Sequence, residues 1–352
     1  MNKRINWIDI GKGIAIILVM FGHCKITPVP IIAELYTFHM PLFFFLSGYV
    51  FSIKKNHTFK MFLKHKSKEL MLPFLMFNLV LIGYFLYCNP QNIRSMISVQ
   101  YILGIVIQNR GTPYYVSMWY LTCLFLSQIL LYFIVKVSRE KKVFIGTLLF
   151  ISSLVGYYLL NVKKMPLPWH LDIVPTALVF VGIGYIIRNV DNSVFKRIFQ
   201  MKNILFYLIV NFVTGMINYK QTGYADLYSC NMGNYIYYYI AAITGVFAVV
   251  TIVTKISNCK ELQYIGKNSL IFYAFQNDIT LPGTICILQV IGLLNGITFL
   301  SKSLESVVIV GLACINLAIV AFIINQCFPF LLGKGKVINS ETQKQKESYI
   351  NE

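Results

Sequence analysis

Charged residues are scarce in this chain, and acidic residues are the scarcest. Lys and Arg number 31 and Asp and Glu only 13 among 352 residues, so that 12% of the sequence is charged while 57% is hydrophobic. The mean hydropathy is +0.65. A typical soluble domain carries about twice this share of charged residues. The sequence therefore predicts an integral membrane protein and excludes an ordinary soluble enzyme.

Metal and redox motifs are also lacking. The eight cysteines are scattered singly, without the paired spacing of a zinc site or a redox centre, so we expect no metal. The net charge of +18 would suit a nucleic-acid partner. However, the basic residues stand in short clusters between apolar runs, which is typical of signals that orient a membrane protein. We expect membrane lipids around the chain and no nucleic acid.

Apolar runs near 20 residues predict an all-α integral membrane protein with about ten transmembrane helices. The predicted spans are 8–25, 31–53, 70–88, 117–136, 143–161, 171–188, 203–219, 233–254, 268–292 and 304–327. A shorter apolar piece, 96–107, fits an interfacial or re-entrant segment better than a crossing. Polar residues, Pro and Gly interrupt the ninth span from Gln276 to Gly283, which predicts that it borders a cavity.

Loop charges predict the orientation, because Lys and Arg accumulate on the cytoplasmic face. If both termini are cytoplasmic, only seven of the 31 basic residues lie on the opposite face of the membrane: Lys25, Arg94, Arg110, Lys163, Lys164, Lys220 and Lys302. We therefore expect a multi-pass protein of the plasma or inner membrane. Its membrane domain would cover 1–332 and a short polar cytoplasmic tail 333–352.

The first hydrophobic helix carries the ionisable residues Asp9, Lys12 and His23. Charge inside a membrane costs about 2.5–3.5 kcal/mol per residue on insertion scales, so such residues indicate a functional site. Ten residues separate Lys12 from His23, which places them about 16 Å apart on nearly one helix face. His23 can exchange protons near neutral pH. Lys12 either pairs with Asp9 or contacts a phosphorylated cofactor. The two interpretations are compatible if Asp9 holds the lysine until the cofactor binds.

The second span adds Glu34 and His39 at a depth close to that of His23. His39 fits a catalytic and a structural role equally well. Ser47 and Gly48 permit close packing of helices, which we expect of them more than catalysis. Aromatic and acidic residues in the outer loops suit either a sugar site or a membrane-interface belt: Trp169, His170, Asp172, Tyr219, Tyr224, Asp226 and Tyr228.

The motifs of the first two helices resemble a known family. Arg4, Asp9, Lys12, Gly13 and His23, followed by the run from Phe38 to Gly48, are similar to the N-terminal signature of the acyltransferase 3 family of membrane O-acyltransferases. Within that family, these motifs are most similar to those of the fucose 4-O-acetylase-like branch. Later stretches also fit, namely Trp119 to Leu121 and Tyr264 to Leu270.

The resemblance implies a function and a set of site residues. Lys12 and His23 match the family's basic residue and histidine, which are implicated in the use of acyl-coenzyme A and in acyl transfer. Arg4 and Asp9 match the same motif, and Ser47 with Gly48 matches the motif of the second helix. In one departure, Gln276 stands where many relatives have a histidine, although glutamine can keep a hydrogen bond.

We therefore expect an O-acetyltransferase that moves an acetyl or similar group from cytoplasmic acetyl-coenzyme A to a sugar hydroxyl. The acceptor would be a cell-envelope polysaccharide or a lipid-linked glycan, with polysaccharide-assembly proteins as further partners. Arg4 and Lys12 would hold the phosphates of the donor. His23, aided by Asp9 and His39, would act as general base or carry the acyl group transiently.

Two other functions are compatible with a polytopic membrane protein. A transporter or flippase for a glycan or lipid-linked precursor would also use polar groups and a broken helix, but recognisable repeated halves are missing. A scaffold for polysaccharide assembly would leave Asp9, Lys12 and His23 without a purpose.

Overall fold

The computed structural model describes residues 5–53, 58–92, 98–108, 110 and 118–334. Within these ranges every regular element is helical, and one isolated bridge joins Asp226 to Asn231. The prediction of an all-α fold is confirmed. Arg4 and residues 335–352 lie outside the described residues, so the predicted donor contact of Arg4 and most of the predicted tail stay predictions.

The described residues form fifteen α-helices. In chain order they are α1 (Asn6–His23), α2 (Val29–Tyr49), α3 (Phe59–Lys66), α4 (Leu72–Cys88), α5 (Val99–Ile107), α6 (Trp119–Val137), α7 (Lys142–Tyr157), α8 (Val174–Arg188), α9 (Asn192–Ile198), α10 (Ile204–Thr222), α11 (Tyr235–Val253), α12 (Lys260–Lys267), α13 (Ser269–Phe275), α14 (Leu281–Val290) and α15 (Phe299–Cys327). Three π-helical stretches, Ser67–Met71, Tyr158–Val162 and Gln276–Thr280, continue a preceding helix.

Eight helical stretches in the described part of the chain are long and apolar enough to cross a membrane. Each overlaps one of the predicted spans. The two remaining predicted spans, 8–25 and 268–292, form helices as well but are not among these eight. Helix α1 carries Asp9, Lys12 and His23, and the ninth span is divided into α13, a π-helical stretch and α14. Helix α5 has nine residues, too few for a crossing.

Helix α2 lies at the centre of the bundle and packs against α1, α8 and α11. Its crossing with α8 depends on two glycines. A Cβ atom at Gly48 would overlap the carbonyl oxygen of Val181, and one at Gly184 would overlap that of Phe45. Backbones approach this closely only where side chains are absent, so Gly48 lies at a helix contact, the environment that the sequence pattern favours.

The short helix α12 packs on α1 in the same way. A Cβ atom at Gly266 would overlap the carbonyl oxygen of Asp9, and one at Gly13 would overlap that of Leu262. This contact carries the chain that follows Gly266, including Lys267 and Asn268, to the side of α1 that bears Lys12. Both residues line one cavity with Lys12.

Candidate functional site

A cavity of about 130 Å³ surrounds the imidazole at the end of α1 and is called the His23 cavity. Five parts of the chain supply its walls: the end of α1, one face of α2, the start of α6, the 223–234 loop and the broken ninth span. The lining residues are His23, Tyr36, His39, Met40, Trp119, Ala225, Asp226, Leu227, Tyr228, Tyr273, Gln276, Asn277 and Asp278. The break in the ninth span thus borders a cavity, in agreement with the prediction.

His23 is held by Gln276, the residue at which the ninth span becomes π-helical. The side-chain amide nitrogen of Gln276 lies 2.6 Å from His23 Nδ1. The amide oxygen is buried and has no hydrogen-bond partner among the described residues. Turning the amide by 180° exchanges its oxygen and nitrogen, so the glutamine can either donate to Nδ1 or accept from it. In the second form His23 Nε2 has a free lone pair.

His39 has its tautomer fixed by the backbone. Its Nδ1 lies 2.7 Å from the carbonyl oxygen of Leu35, and a carbonyl can only accept, so Nδ1 carries the proton and Nε2 is the acceptor nitrogen. The ring also packs edge to face against Tyr36, with centroids 4.8 Å apart. The structure therefore brings His23 and His39 to one cavity, as their similar depth in the sequence pattern predicts.

A second cavity, of about 300 Å³, is called the Lys12 cavity. Its volume lies at the lower end of the range for small-molecule sites. Its lining includes four lysines, Lys12, Lys66, Lys267 and Lys334, together with Asp9 and Glu69. Lys66 Nζ donates to Glu69 at 2.7 Å. Ser47 lines this cavity too, with its Oγ 3.3 Å from the Tyr120 hydroxyl.

The two cavities meet at Met40 and Tyr273, the two residues that line both. The backbone N–H of Tyr120 donates to the Tyr273 hydroxyl at 3.4 Å, which fixes the phenol at this junction. Because that oxygen already accepts one bond, its O–H remains available to donate. Lys12 and His23 therefore face neighbouring cavities, separated by two side chains.

The 223–234 loop covers the His23 cavity and is held by asparagine side chains. Asn161 donates to the Gly233 carbonyl oxygen at 2.6 Å and accepts from the Met232 N–H at 2.9 Å. The Asn218 side chain likewise donates to the Met232 carbonyl oxygen at 3.0 Å and accepts from the Asn234 N–H at 2.7 Å. Within the loop, Asp226 accepts from the Tyr228 N–H at 3.0 Å. The loop thus presents Asp226 and Tyr228 at defined positions.

Beneath this loop lies the ion pair of Arg110 and Asp172. Arg110 Nη1 donates to Asp172 at 2.6 Å, and Asp172 is completely buried. The guanidinium also lies over the Tyr228 ring, 5.4 Å from its centroid, and 3.3 Å from the Cys230 sulfur. Burial raises the pKa of the Cys230 thiol above its ordinary value, so the thiol is protonated and donates toward Asp172. All eight cysteines are free.

Comparison with known proteins identifies the family. The family model described as an acyltransferase domain matches residues 5–325. The chain belongs to this acyltransferase family. The match confirms the resemblance to the acyltransferase 3 family and, with the apolar helices, makes the protein a multi-pass membrane acyltransferase. No curated protein and no solved structure matched the chain.

The residues predicted for the acyltransferase site divide between the two cavities. His23 and His39 line the His23 cavity, whereas Asp9, Lys12 and Ser47 line the Lys12 cavity. Of the outer-loop residues, Asp226 and Tyr228 line the His23 cavity. Asp172 is engaged with Arg110, Trp169 donates to the Val106 carbonyl oxygen at 2.7 Å, and the Tyr224 ring packs on Tyr36. Their catalytic and binding roles stay predictions.

Sequence reasoning missed Tyr36, Met40 and Tyr273 as lining residues. A signal for the first two exists, because Tyr36, His39, Met40, Phe43 and Ser47 lie at helical spacing on one face of α2 and line the two cavities in order. No comparable signal marks Tyr273, which reaches the junction because the contact of α12 with α1 directs the following helix there.

Proposed function

We propose that this acyltransferase moves an acetyl or similar acyl group from acyl-coenzyme A to a sugar hydroxyl of a cell-envelope glycan or lipid-linked saccharide. The observation that carries the proposal is the meeting of a cavity lined by lysines with a cavity lined by histidines at Met40 and Tyr273. The Lys12 cavity suits an anionic thioester donor, and the His23 cavity suits an acceptor that must lose a proton. The likeness to the fucose 4-O-acetylase-like branch stays a prediction.

The Lys12 cavity suits the donor in charge. Lys12, Lys267 and Lys334 would provide cations for phosphate groups, as charge-assisted hydrogen bonds favour, while Lys66 is paired with Glu69. Met40, Phe43, Tyr120 and Leu121 also line this cavity and would offer a largely apolar wall for an acyl chain. Transfer would then need only the acyl end to reach the junction, while the charged part stays among the lysines.

The His23 cavity supplies the proton chemistry. With Gln276 accepting from Nδ1–H, His23 Nε2 takes the proton of the acceptor hydroxyl as its oxygen attacks the thioester carbonyl carbon. The Tyr273 O–H, at the junction, would donate to the oxygen that becomes negative in the tetrahedral intermediate. His23 then returns the proton to the departing thiolate sulfur. His39 Nε2 offers a second acceptor on the same wall.

The test of the proposal uses purified full-length protein in liposomes with labelled acetyl-coenzyme A and glycan from the cells that make the protein. We expect release of free coenzyme A together with an alkali-labile label on the glycan. A transporter would release no coenzyme A, so absence of release in the presence of glycan contradicts the proposal.

Replacing Lys12 tests the donor side. Lys12→Ala removes one of the cations of the Lys12 cavity, and a hydrogen bond to a charged group contributes about 1.5–3 kcal/mol. We expect the KM for acetyl-coenzyme A to rise about 10- to 100-fold, with the KM for the acceptor little changed. Steady-state kinetics with each substrate varied in turn measures both.

The matched control is Lys220→Ala, since Lys220 is an exposed lysine that lines neither cavity. Its kinetics should equal those of the wild type. An unchanged donor KM in Lys12→Ala would contradict a contact between Lys12 and the donor.

Replacing Gln276 tests how His23 is held. Gln276→Leu removes the partner of Nδ1, so the imidazole loses its orientation, and we expect kcat to fall about 10- to 100-fold with the donor KM unchanged. Gln276→His keeps a hydrogen-bonding group at this position and should retain more activity than the leucine variant. Equal rates for leucine and wild type would show that the bond to Gln276 does not serve catalysis.

A further inference from the structure

We infer that the sugar unit that receives the acyl group carries no negative charge. The inference rests on the proposed function, because it concerns the acceptor of the His23 cavity. The observation behind it is the charge of the cavity lining. Among its described residues are two carboxyl groups, Asp226 and Asp278, and neither a lysine nor an arginine.

Both carboxyl groups are held in place by hydrogen bonds. Asp226 is fixed by the Tyr228 N–H and by the Ser229 hydroxyl, and Asp278 accepts from the Asn277 amide at 3.0 Å. An anionic sugar entering the cavity would lose hydration and meet these carboxylates at close range, where like charges repel more strongly than in water. Neutral hydroxyl groups, in contrast, can donate to carboxylates.

Arg110 lies near the cavity but does not line it. It contacts Tyr228 and pairs through Nη1 with the buried carboxylate of Asp172, while its Nε and Nη2 are buried without a hydrogen-bond partner among the described residues. The four lysines of the site line the other cavity. No described residue of the His23 cavity therefore offers the cation that an acidic sugar needs, and specificity against a ligand commonly arises from such a repulsive arrangement.

The lining also offers contacts to a neutral sugar. Trp119 and Tyr228, whose ring centroids lie 6.3 Å apart, both line the cavity and would provide aromatic surface for the C–H groups of a sugar ring, although Arg110 covers one face of Tyr228. The side-chain oxygen of Gln276 is buried in the wall and has no hydrogen-bond partner among the described residues. A ligand with several neutral hydroxyl groups, one reacting at His23 and another bonding to Gln276, satisfies these groups.

The experiment identifies the charge of the acylated unit. Permeabilised membranes from cells that make the protein receive [¹⁴C]acetyl-coenzyme A, and membranes with the His23→Ala variant define the label that depends on the site. The labelled glycan is cut enzymatically to single units with the ester intact, and electrophoresis at neutral pH separates them by charge. We expect the His23-dependent label on a neutral or amino-bearing unit.

A label on a unit with a carboxylate, phosphate or sulfate group would overturn this inference and leave the proposed function standing. Absence of any His23-dependent label on glycan would overturn the proposed function itself. The two failures are therefore distinguishable in one experiment.

A second measurement tests the two carboxylates directly. The purified protein receives the methyl glycoside of the labelled unit and that of its uronic acid counterpart, which differs by one carboxylate. We expect the wild type to prefer the first, and the preference to fall about tenfold in Asp226→Asn and in Asp278→Asn. Asp191→Asn, a change at an exposed residue outside both cavities, should keep the wild-type preference. Equal use of both glycosides by the wild type would overturn the inference.

Discussion

His23→Ala should abolish acyl transfer while the protein remains in the membrane at its normal level. The imidazole is the proton-accepting group of the proposed reaction, and general base catalysis contributes about 100- to 10,000-fold to a rate. The neighbouring His39 also has an acceptor Nε2, but the Leu35 carbonyl oxygen and the Tyr36 ring hold its imidazole on α2, so it does not move to the position of the lost ring. The measurement is the rate of ester formation from labelled acetyl-coenzyme A, normalised to protein content.

The control for this prediction is His65→Ala. His65 is an exposed histidine of α3 that lines neither cavity. Its contact with the lining residue Glu69 is a solvent-exposed pair at 3.8 Å, which contributes little, so its loss should leave the rate unchanged. Because His23→Ala also leaves the Gln276 amide without its partner, thermal unfolding of both variants must be compared. Ester formation at the wild-type rate in His23→Ala would refute a catalytic role for this residue.

Gly266→Ala should cost both stability and donor use. The added Cβ would overlap the carbonyl oxygen of Asp9 and lie 2.9 Å from the backbone nitrogen of Gly13. Backbone atoms of a packed helix cannot move aside as a flexible side chain can, so α12 must shift away from α1. Forcing extra volume into a packed contact costs about 1–3 kcal/mol. The shift also carries Lys267 and Asn268 out of the Lys12 cavity, and the KM for acetyl-coenzyme A should rise.

Gly311→Ala provides the matched control. Gly311 lies inside the long helix α15, and a Cβ there would meet nothing within 4 Å. Since alanine favours a helix over glycine by about 0.5–1 kcal/mol, this variant should be as stable as the wild type or more so. Equal melting temperatures for Gly266→Ala and wild type would show that the contact between α12 and α1 is looser than the structure indicates.

The helices could be predicted from the sequence because a membrane-spanning helix needs one long run of apolar residues. A stretch of about 20 apolar residues is required for each crossing, so length and composition suffice to find it. The broken ninth span was also visible, since Gln276, Asn277 and Asp278 in an apolar run need polar surroundings. The helical stripe of Asp9, Lys12 and His23 likewise follows from sequence spacing alone.

The assembly of the site was not accessible in the same way. The bond of Gln276 to His23 joins residues far apart in the chain, and nothing in either local pattern requires it. The same holds for Asp226, whose loop is fixed over the cavity by Asn161 and Asn218 on other helices. Glycine contacts such as that of Gly266 with Asp9 set these positions through backbone approach, which spacing does not reveal.

The junction at Met40 and Tyr273 has a consequence for the electrical state of the membrane. An open water column through the bundle would let protons and small ions run down their gradients. Met40 and Tyr273 stand between the two cavities, and the Tyr120 N–H holds the phenol, so these side chains would interrupt such a column. If the proposed transfer takes place at this junction, a chemical group passes along the bundle axis while the membrane keeps its potential.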